Sequence, residues 1–349
     1  MNTLGLLGLK IQRIGSVFMR KTKVVKDFNY YIDEYLYNCR SRQLRPKTMQ
    51  SYEQTLRLFE RWCGDNEGIE EPGQVMEKTI RHYICDLQDR GKYTFYVMDE
   101  RKKTNCPDRR RDYRQQVSNT TINNYIRNLR AFFTWYAEEE GSANPMLKVR
   151  QLKNDRDARD FLEDAEVERL LRIFDKSYFP EHRDAVIILL LLDTGMRIGE
   201  CLQITMEWVN MKERVITLPG DVTKGRKTRS VFFSQKTARA LQNWMRFKDR
   251  YSESEFLFPV KMGTALEIGS FEGNFRSYLE RAGINKPISP HALRNNFAKR
   301  CLMAGMDLYT LSRILGHSSV AVTEKAYLDL TDRDLRHRYQ QFSPVENMR

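Results

Sequence analysis

Apolar residues recur three and four apart along two long stretches of the first half, and that spacing commits both stretches to amphipathic helices. In 46–62 the series is Met49, Tyr52, Leu56 and Phe59, continuing to Cys63, with proline and threonine at the start. In 118–136 it is Ile122, Tyr125, Ile126, Leu129, Phe132, Phe133 and Tyr136. The opposite face of that second stretch carries Asn123, Asn124, Arg127, Asn128 and Arg130, short amides mixed with arginine. Stretches 24–39 and 79–90 add two more helices, so this half reads as a small all-α domain. The pattern breaks at Gly141-Ser-Ala-Asn-Pro145, where glycine can cap a helix and proline prevents its continuation. Residues 148–159 have few apolar positions and mixed charge, as a linker does.

The second half predicts a mostly helical domain with a small antiparallel sheet. A helix begins near Leu162-Glu163-Asp164, with acidic residues in the first turn where the helix dipole favours them. The aliphatic run Ala185–Leu192 reads as a buried helix, too short to cross a bilayer. Residues 214–218 read as a strand, and 222–233 as a hairpin turning around Lys224-Gly225-Arg226. Ser234 caps a helix to about 248, and Ser270 another to about 282. Ser289-Pro290 starts a third, and Asp307 caps 308–315 before Gly316 ends it. The chain thus divides into an extension (1–23), a helical domain (24–145), a linker (146–159) and a second domain (160–349).

A formal charge of +13 calls for an anionic partner, with nucleic acid first. Six cysteines with no Cys-x-x-Cys pair argue against a zinc site and a disulfide framework, and fit a reducing cytoplasm. The mildly apolar opening has no basic start and no clear cleavage site, so it reads as a short helix or tail. Between the two periodic blocks, 91–114 combines Tyr93, Phe95 and Val97, which alternate like a strand, with the basic clusters 101–103 and 109–111. Cations on phosphate with rings on bases or sugars make a nucleic-acid surface, and a solvated loop is the alternative.

Five residues late in the chain stand in suggestive contexts. Arg197 lies in Thr194-Gly-Met-Arg-Ile-Gly-Glu200, and His291 and Arg294 in Ser289-Pro-His-Ala-Leu-Arg294. His317 lies in Leu315-Gly-His-Ser-Ser319, and Tyr327 follows ten residues later. Lys224, in Val222-Thr-Lys-Gly-Arg-Lys-Thr-Arg229, is a sixth. Arginine forks around one tyrosine are a layout for phosphoryl transfer without a metal, because charge grows on the non-bridging oxygens. Histidine exchanges protons near neutrality, and a tyrosine hydroxyl needs a base or cations to attack. These contexts, in this order, resemble the tyrosine recombinase (phage integrase) family from about residue 24 to 335.

The resemblance implies a two-domain DNA clamp, mainly α with a small antiparallel sheet in the second domain. Arg197, Arg294 and His317 would hold the scissile phosphate, with Glu200 supporting Arg197. His291 would take the proton of Tyr327, and Lys224 would protonate the departing 5′ oxygen, with Lys227 and Tyr339 as fallbacks. The link formed would be a 3′-phosphotyrosyl bond, with no cofactor, metal or ATP. Arg127, Arg130, Arg226, Lys227 and Arg229 are candidate DNA contacts. The expected partners are double-stranded DNA with specific sites, three further copies in a homotetramer, and possible accessory DNA-bending proteins, in a bacterial cytoplasm and with no membrane. The 91–114 segment and the extension favour an integrase or transposase of a mobile element over a chromosome-dimer resolvase. A non-catalytic DNA-binding regulator and a type IB topoisomerase are the alternatives from outside the family; no position of the site is missing, and the Leu-Gly-His context fits the recombinases better.

Overall fold

The computed structural model describes residues 26–95, 109–153, 161–223, 225–317, 319–327 and the isolated positions 336, 339, 343 and 345. Two compact units emerge, Met1–Arg156 and Asp157–Arg349.

The described part of the first unit is built on four helices: α1 (Phe28–Ser41), α2 (Pro46–Glu67), α3 (Glu77–Asp89) and α4 (Asn119–Glu140). Side chains of Asp27 and Ser118 cap α1 and α4, accepting the backbone N–H of Tyr30 and Thr121. Leu56, Phe59 and Cys63 of the expected α2 face are fully buried, with Met49 and Tyr52 packed at its margin. Phe59 sits at the centre, with ring centroids 4.9 Å from Tyr83, 6.0 Å from Phe28 and 6.1 Å from Phe133. Edge-to-face pairs of this kind add directional preference to area burial.

The polar face of α4 is less open than its sequence suggests. Asn123 is buried, and its amide exchanges two hydrogen bonds with the Leu152 backbone, at 2.9 and 2.8 Å. Asn128 donates to Thr55 Oγ1 at 2.8 Å, tying α4 to α2. Arg130 donates to the Val149 carbonyl, while Arg127 stays exposed beside Asn124. Met146 and Val149 belong to this core, so the expected linker is packed down as far as its described part extends. The expected strand from Tyr93 is not one: Tyr93 has φ +62° under the guanidinium of Arg110, 4.5 Å from its ring. The tip of that segment, with Val97 and the 101–103 cluster, lies outside the described residues.

The second unit holds α5 (Asp164–Arg172), α6 (Phe179–Thr194), α7 (Ile198–Cys201), α8 (Gln235–Lys248), α9 (Ile268–Arg281), α10 (Pro290–Met303), α11 (Leu308–Leu315) and α12 (Val320–Tyr327). Its sheet is β1 (Val209–Asn210), β2 (Val215–Leu218) and β3 (Arg229–Phe232), antiparallel in that order, with Leu218 opposite Arg229. The hairpin arms are therefore 215–218 and 229–232, and Val222–Lys227 lies in the loop between them. Helix α9 starts at Ile268, two residues before the expected Ser270 cap, with Glu267 at the cap position. Helix α6 is apolar almost all round because α8 and α10 both pack on it.

Helix α6 ends in Gly195, whose φ is +62°. A Cβ there would lie 2.3 Å from Phe297 Cδ1 and 2.9 Å from Leu315 Cδ2, so α6, α10 and α11 converge where only glycine fits. Gly195→Ala should therefore cost about 2–5 kcal/mol, left-handed strain plus overpacking. Gly283→Ala, at φ +65° with nothing within 4 Å, should cost about 1–2 kcal/mol, the strain alone. Denaturant unfolding of both variants checks this, and equal losses would refute the convergence argument.

Candidate active site

Helix α11 is capped at its start by the Asp307 side chain, which accepts the Thr310 N–H at 2.8 Å, and it ends at Gly316 with φ +66°. Four carbonyls at the end of a helix lack intrahelical partners. Here all four are taken. Ser312 O accepts from His317 N at 3.1 Å and Arg313 O from Gly316 N at 3.0 Å, as a left-handed cap arranges. Ile314 O accepts from Arg229 Nη1 at 3.0 Å, and Leu315 O from Arg294 Nη2 at 2.8 Å. Two guanidinium groups thus stand where the helix dipole favours cations.

Arg294 reaches this point from one turn into α10, which Pro290 opens. Its other arm, Nη1, donates to Gly195 O at 2.8 Å. Only 4 % of the residue is exposed, and among the described residues no carboxylate lies within ion-pair distance of it. Burial first, then the charges of Arg197 and Arg229, push its pKa down to about 9, so it is still a cation at neutrality. A guanidinium has five N–H donors, and the two carbonyls use two of them.

Arg197 is the cap residue of α7. Its backbone N–H and its Nη1 both reach Glu200, at 3.0 and 2.8 Å. Arg229 Nη2 completes the bracket at 2.6 Å from Oε2, the carboxylate oxygen that also accepts the Arg197 backbone N–H, while Arg197 Nη1 takes Oε1. Burial would raise the Glu200 pKa, but the charge of Arg229 and the bonds and charge of Arg197 outweigh it, and the net shift is downward. Glu200 is 2 % exposed while the Arg197 side chain keeps 24 % of its surface. A buried carboxylate holds a guanidinium that still opens to solvent.

His317 follows the Gly316 turn, with Nδ1 2.6 Å from Thr323 Oγ1 of α12. Burial lowers its pKa first, and Arg294, Arg197, Arg229 and His291 lower it further, to about 4. That all four act on one imidazole places them in one electrostatic neighbourhood. His291 is exposed on the first turn of α10.

Residues 160–334 match the Phage integrase family model, half of the chain. The chain belongs to this family of tyrosine recombinases. It is similar to a tyrosine recombinase XerC of Oceanobacillus iheyensis, 26 % identical over 91 % of this chain and 97 % of the relative. It is also similar to a tyrosine recombinase XerD of Pseudomonas putida, 30 % identical over 63 % of this chain and 74 % of the relative. Among solved structures, the Tn1549 transposon integrase in complex with transposon right end DNA shares the fold. Its TM-score is 0.66 at 20 % identity, covering 90 % of this chain and 99 % of that one. Like its relatives, this recombinase is an enzyme that cleaves and rejoins DNA.

Of the residues singled out in the recombinase sequence, Arg197, Glu200, Arg294, His317 and His291 are gathered by the fold. Tyr327 is the last residue of α12, the helix that supplies Thr323, and its side chain lies outside the described residues. Lys224 also lies outside them. Its loop is knotted by the buried Thr223, whose hydroxyl lies 3.1 Å from Gly220 O and 2.9 Å from Lys227 O and accepts the Lys227 N–H at 3.1 Å. Arg226 and Lys227 are exposed on that loop. Tyr339 is exposed. Of the remaining histidines, His82 is exposed against Glu67, His182 is buried against Trp244, and His337 lies outside the described residues.

Arg229 differs from expectation. Read from sequence as a candidate DNA contact, it points into the protein and holds Glu200. The signal was available, since Val231 and Phe233 are inward and Arg229 shares their two-residue phase. Thr323 had no such signal, because its partner is set by the turn after α11.

The folded protein holds His317 neutral. Its contribution to stability is therefore complete above the unfolded imidazole's pKa of about 6.5, and is lost as pH falls from there toward 4. His317→Gln should flatten the loss of stability between pH 7 and 5, measured by urea unfolding at each pH. An unchanged slope would mean that His317 is not held neutral.

Proposed function

We propose that this recombinase cuts and rejoins DNA at specific sites through Tyr327. The observation that carries the reading is Arg294, a buried cation with no ion-pair partner among the described residues, next to Arg197 and His317. A phosphodiester brought there would supply the missing negative charge, and the fixed forks would stabilise the charge that grows on its non-bridging oxygens. The Tyr327 oxygen bonds to phosphorus as its proton passes to His291. The bond from phosphorus to the 5′ oxygen breaks, and Lys224 protonates that oxygen. The 3′-phosphotyrosyl link keeps the bond's free energy, so a 5′ hydroxyl from a second duplex can reverse the step without ATP. Exchange between two duplexes takes four cleavages, hence four protomers around the synapsed DNA.

The helical unit and the catalytic unit are proposed to close on the duplex from opposite sides, with Arg127, Arg226 and Lys227 among the phosphate contacts. Affinity should then fall about 10³-fold or more between 50 and 200 mM salt, as for proteins making six or more phosphate contacts. Binding isotherms across that range test it, and a nearly flat response would sink the clamp.

The basic segment 91–114 favours integration and excision of a bacterial mobile element. Likeness to XerC- and XerD-named relatives over nearly their full length favours a second reading, resolution of chromosome dimers. Sequencing the fragments that wild-type protein traps covalently from its own genome separates the two. Junctions at an element's ends support the first reading, and a single chromosomal locus the second.

The chemistry has a sharper test on a trapped duplex nicked beside the exchange point, where a short fragment diffuses away and strands the intermediate. Wild-type protein should become linked in the presence of chelator, and Tyr327→Phe should bind DNA without linking. Lys224→Ala should cleave an ordinary phosphodiester about 10²–10⁴-fold more slowly, yet recover when sulfur replaces the bridging 5′ oxygen, since sulfur leaves without a proton. Arg197→Ala and Arg294→Ala should not recover. Linkage in Tyr327→Phe would move the nucleophile, with Tyr339 next, and rescue of Lys227→Ala instead would transfer the acid role.

A further inference from the structure

Arg229 opens β3 in phase with the buried Val231 and Phe233, so the strand's period turns it inward. A guanidinium taken out of water needs acceptors, and this one has two on different elements. Nη2 reaches Glu200 of α7 at 2.6 Å, and Nη1 reaches the Ile314 carbonyl of α11 at 3.0 Å. Its aliphatic stem lies over Gly316, where a Cβ would come within 2.7 Å of Arg229 Cδ and 3.0 Å of Nε. The side chain is 12 % exposed. One residue therefore touches the partner of Arg197 and the turn that aims His317. Its own strand leaves the loop that contains Lys224.

We infer that Arg229 is a positioning residue for DNA cleavage, locking the Arg197–Glu200 pair and the His317 turn to the strand that follows the Lys224 loop. The inference rests on the reading of this cluster as the recombination site. Lysine cannot replace it, because a single ammonium on a flexible stem cannot span two acceptors in fixed directions as the planar fork does. Without the fork, Glu200 Oε2 keeps only the Arg197 N–H. The buried carboxylate is then held only by Arg197 itself, so the two can shift together. An arginine displaced by about 1 Å from a phosphate costs on the order of a hundredfold in rate.

The charges acting on Glu200 are Arg197 from α7, Arg229 from β3 and Arg294 from α10, and the same three, together with His291 of α10, act on His317. Removing the Arg229 cation should let the Glu200 pKa rise. A protonated Glu200 loses its charge and one of the two acceptors that hold Arg197, so cleavage by Arg229→Met should fail at a higher pH than in wild type as the solution is acidified.

The experiment compares Arg229→Lys, Arg229→Met and Arg229→Met/Glu200→Gln in the full chain. The DNA-free arm follows the Glu200 carboxyl carbon and the His317 ring by NMR as pH is varied. Both should titrate higher in Arg229→Met than in wild type. The second arm measures the rate of covalent linkage to the trapped, nicked duplex against pH. Both single variants should link on the order of 10- to 100-fold more slowly, with DNA affinity within about threefold and no recovery with bridging sulfur. The acid limb should move up in Arg229→Met and should be absent in the double variant.

Full speed in Arg229→Lys would reduce the residue to a charge and overturn the inference. So would an unmoved Glu200 titration, or a loss uniform across pH that tracks a lower unfolding midpoint. If wild-type protein traps no duplex while Glu200 still moves, the recombination reading falls, and the positioning role falls with it.

Discussion

The last turn of α11 is the fixed point of the catalytic unit. Its four terminal carbonyls are divided between two backbone N–H groups of the Gly316 turn and two arginines from other elements. An unpaired buried carbonyl costs on the order of 1–3 kcal/mol, so each arginine is held where it is by a backbone group that would otherwise go unpaired. Arg294 also takes the Gly195 carbonyl at the end of α6, which fixes its guanidinium between two helix ends. Both of those ends are left-handed glycines, and both are sites where a side chain would strike a neighbour. Sterics and hydrogen-bond accounting thus set the position of the arginines before any ligand arrives.

The arrangement also leaves charge unbalanced. Among the described residues, the three arginines stand near one carboxylate, Glu200, which pairs with Arg197 and Arg229 and not with Arg294. Bringing an unpaired guanidinium out of water opposes folding, and the depressed pKa of Arg294 records that cost. On the proposed reading, the same cost makes the site select an anion. A preorganised field needs no reorganisation as charge develops, and removing one such donor from an enzyme typically slows it about 10²–10³-fold.

Much of this was legible in the sequence where local chemistry decides it. Asp307, Gly316, Ser234 and the Ser289-Pro290 start gave helix boundaries that hold to a residue, because caps and left-handed turns depend on the cap residue itself. The α9 start was misplaced because Ser270 carries the stronger cap signal, while Glu267 takes the cap position without a side-chain bond. The face of α4 was read by period alone, which separates apolar from polar but cannot say that Asn123 and Asn128 bond to other parts of their own unit. Arg229 shows the same limit. A basic residue on a basic hairpin looks like a DNA contact until the strand's phase is set against that of Val231.

The order of the motifs along the chain also has a geometric meaning. Arg197 follows the end of α6, Arg294 stands one turn into α10, and His317 follows the end of α11, so helix termini supply every phosphate-holding group that was proposed. Termini are where backbone groups need partners and where the chain turns sharply enough to aim a side chain. His317 sits at the junction of the two halves of the proposed reaction. Its ring lies in the field of the three arginines, and Nδ1 is bonded to Thr323 of α12, the helix that ends in the proposed nucleophile. An anion entering that field offsets the repulsion that keeps the imidazole neutral, and the ring that responds is bonded to the helix carrying Tyr327. On the proposed reading, phosphate binding and the helix that carries Tyr327 therefore share one hydrogen bond.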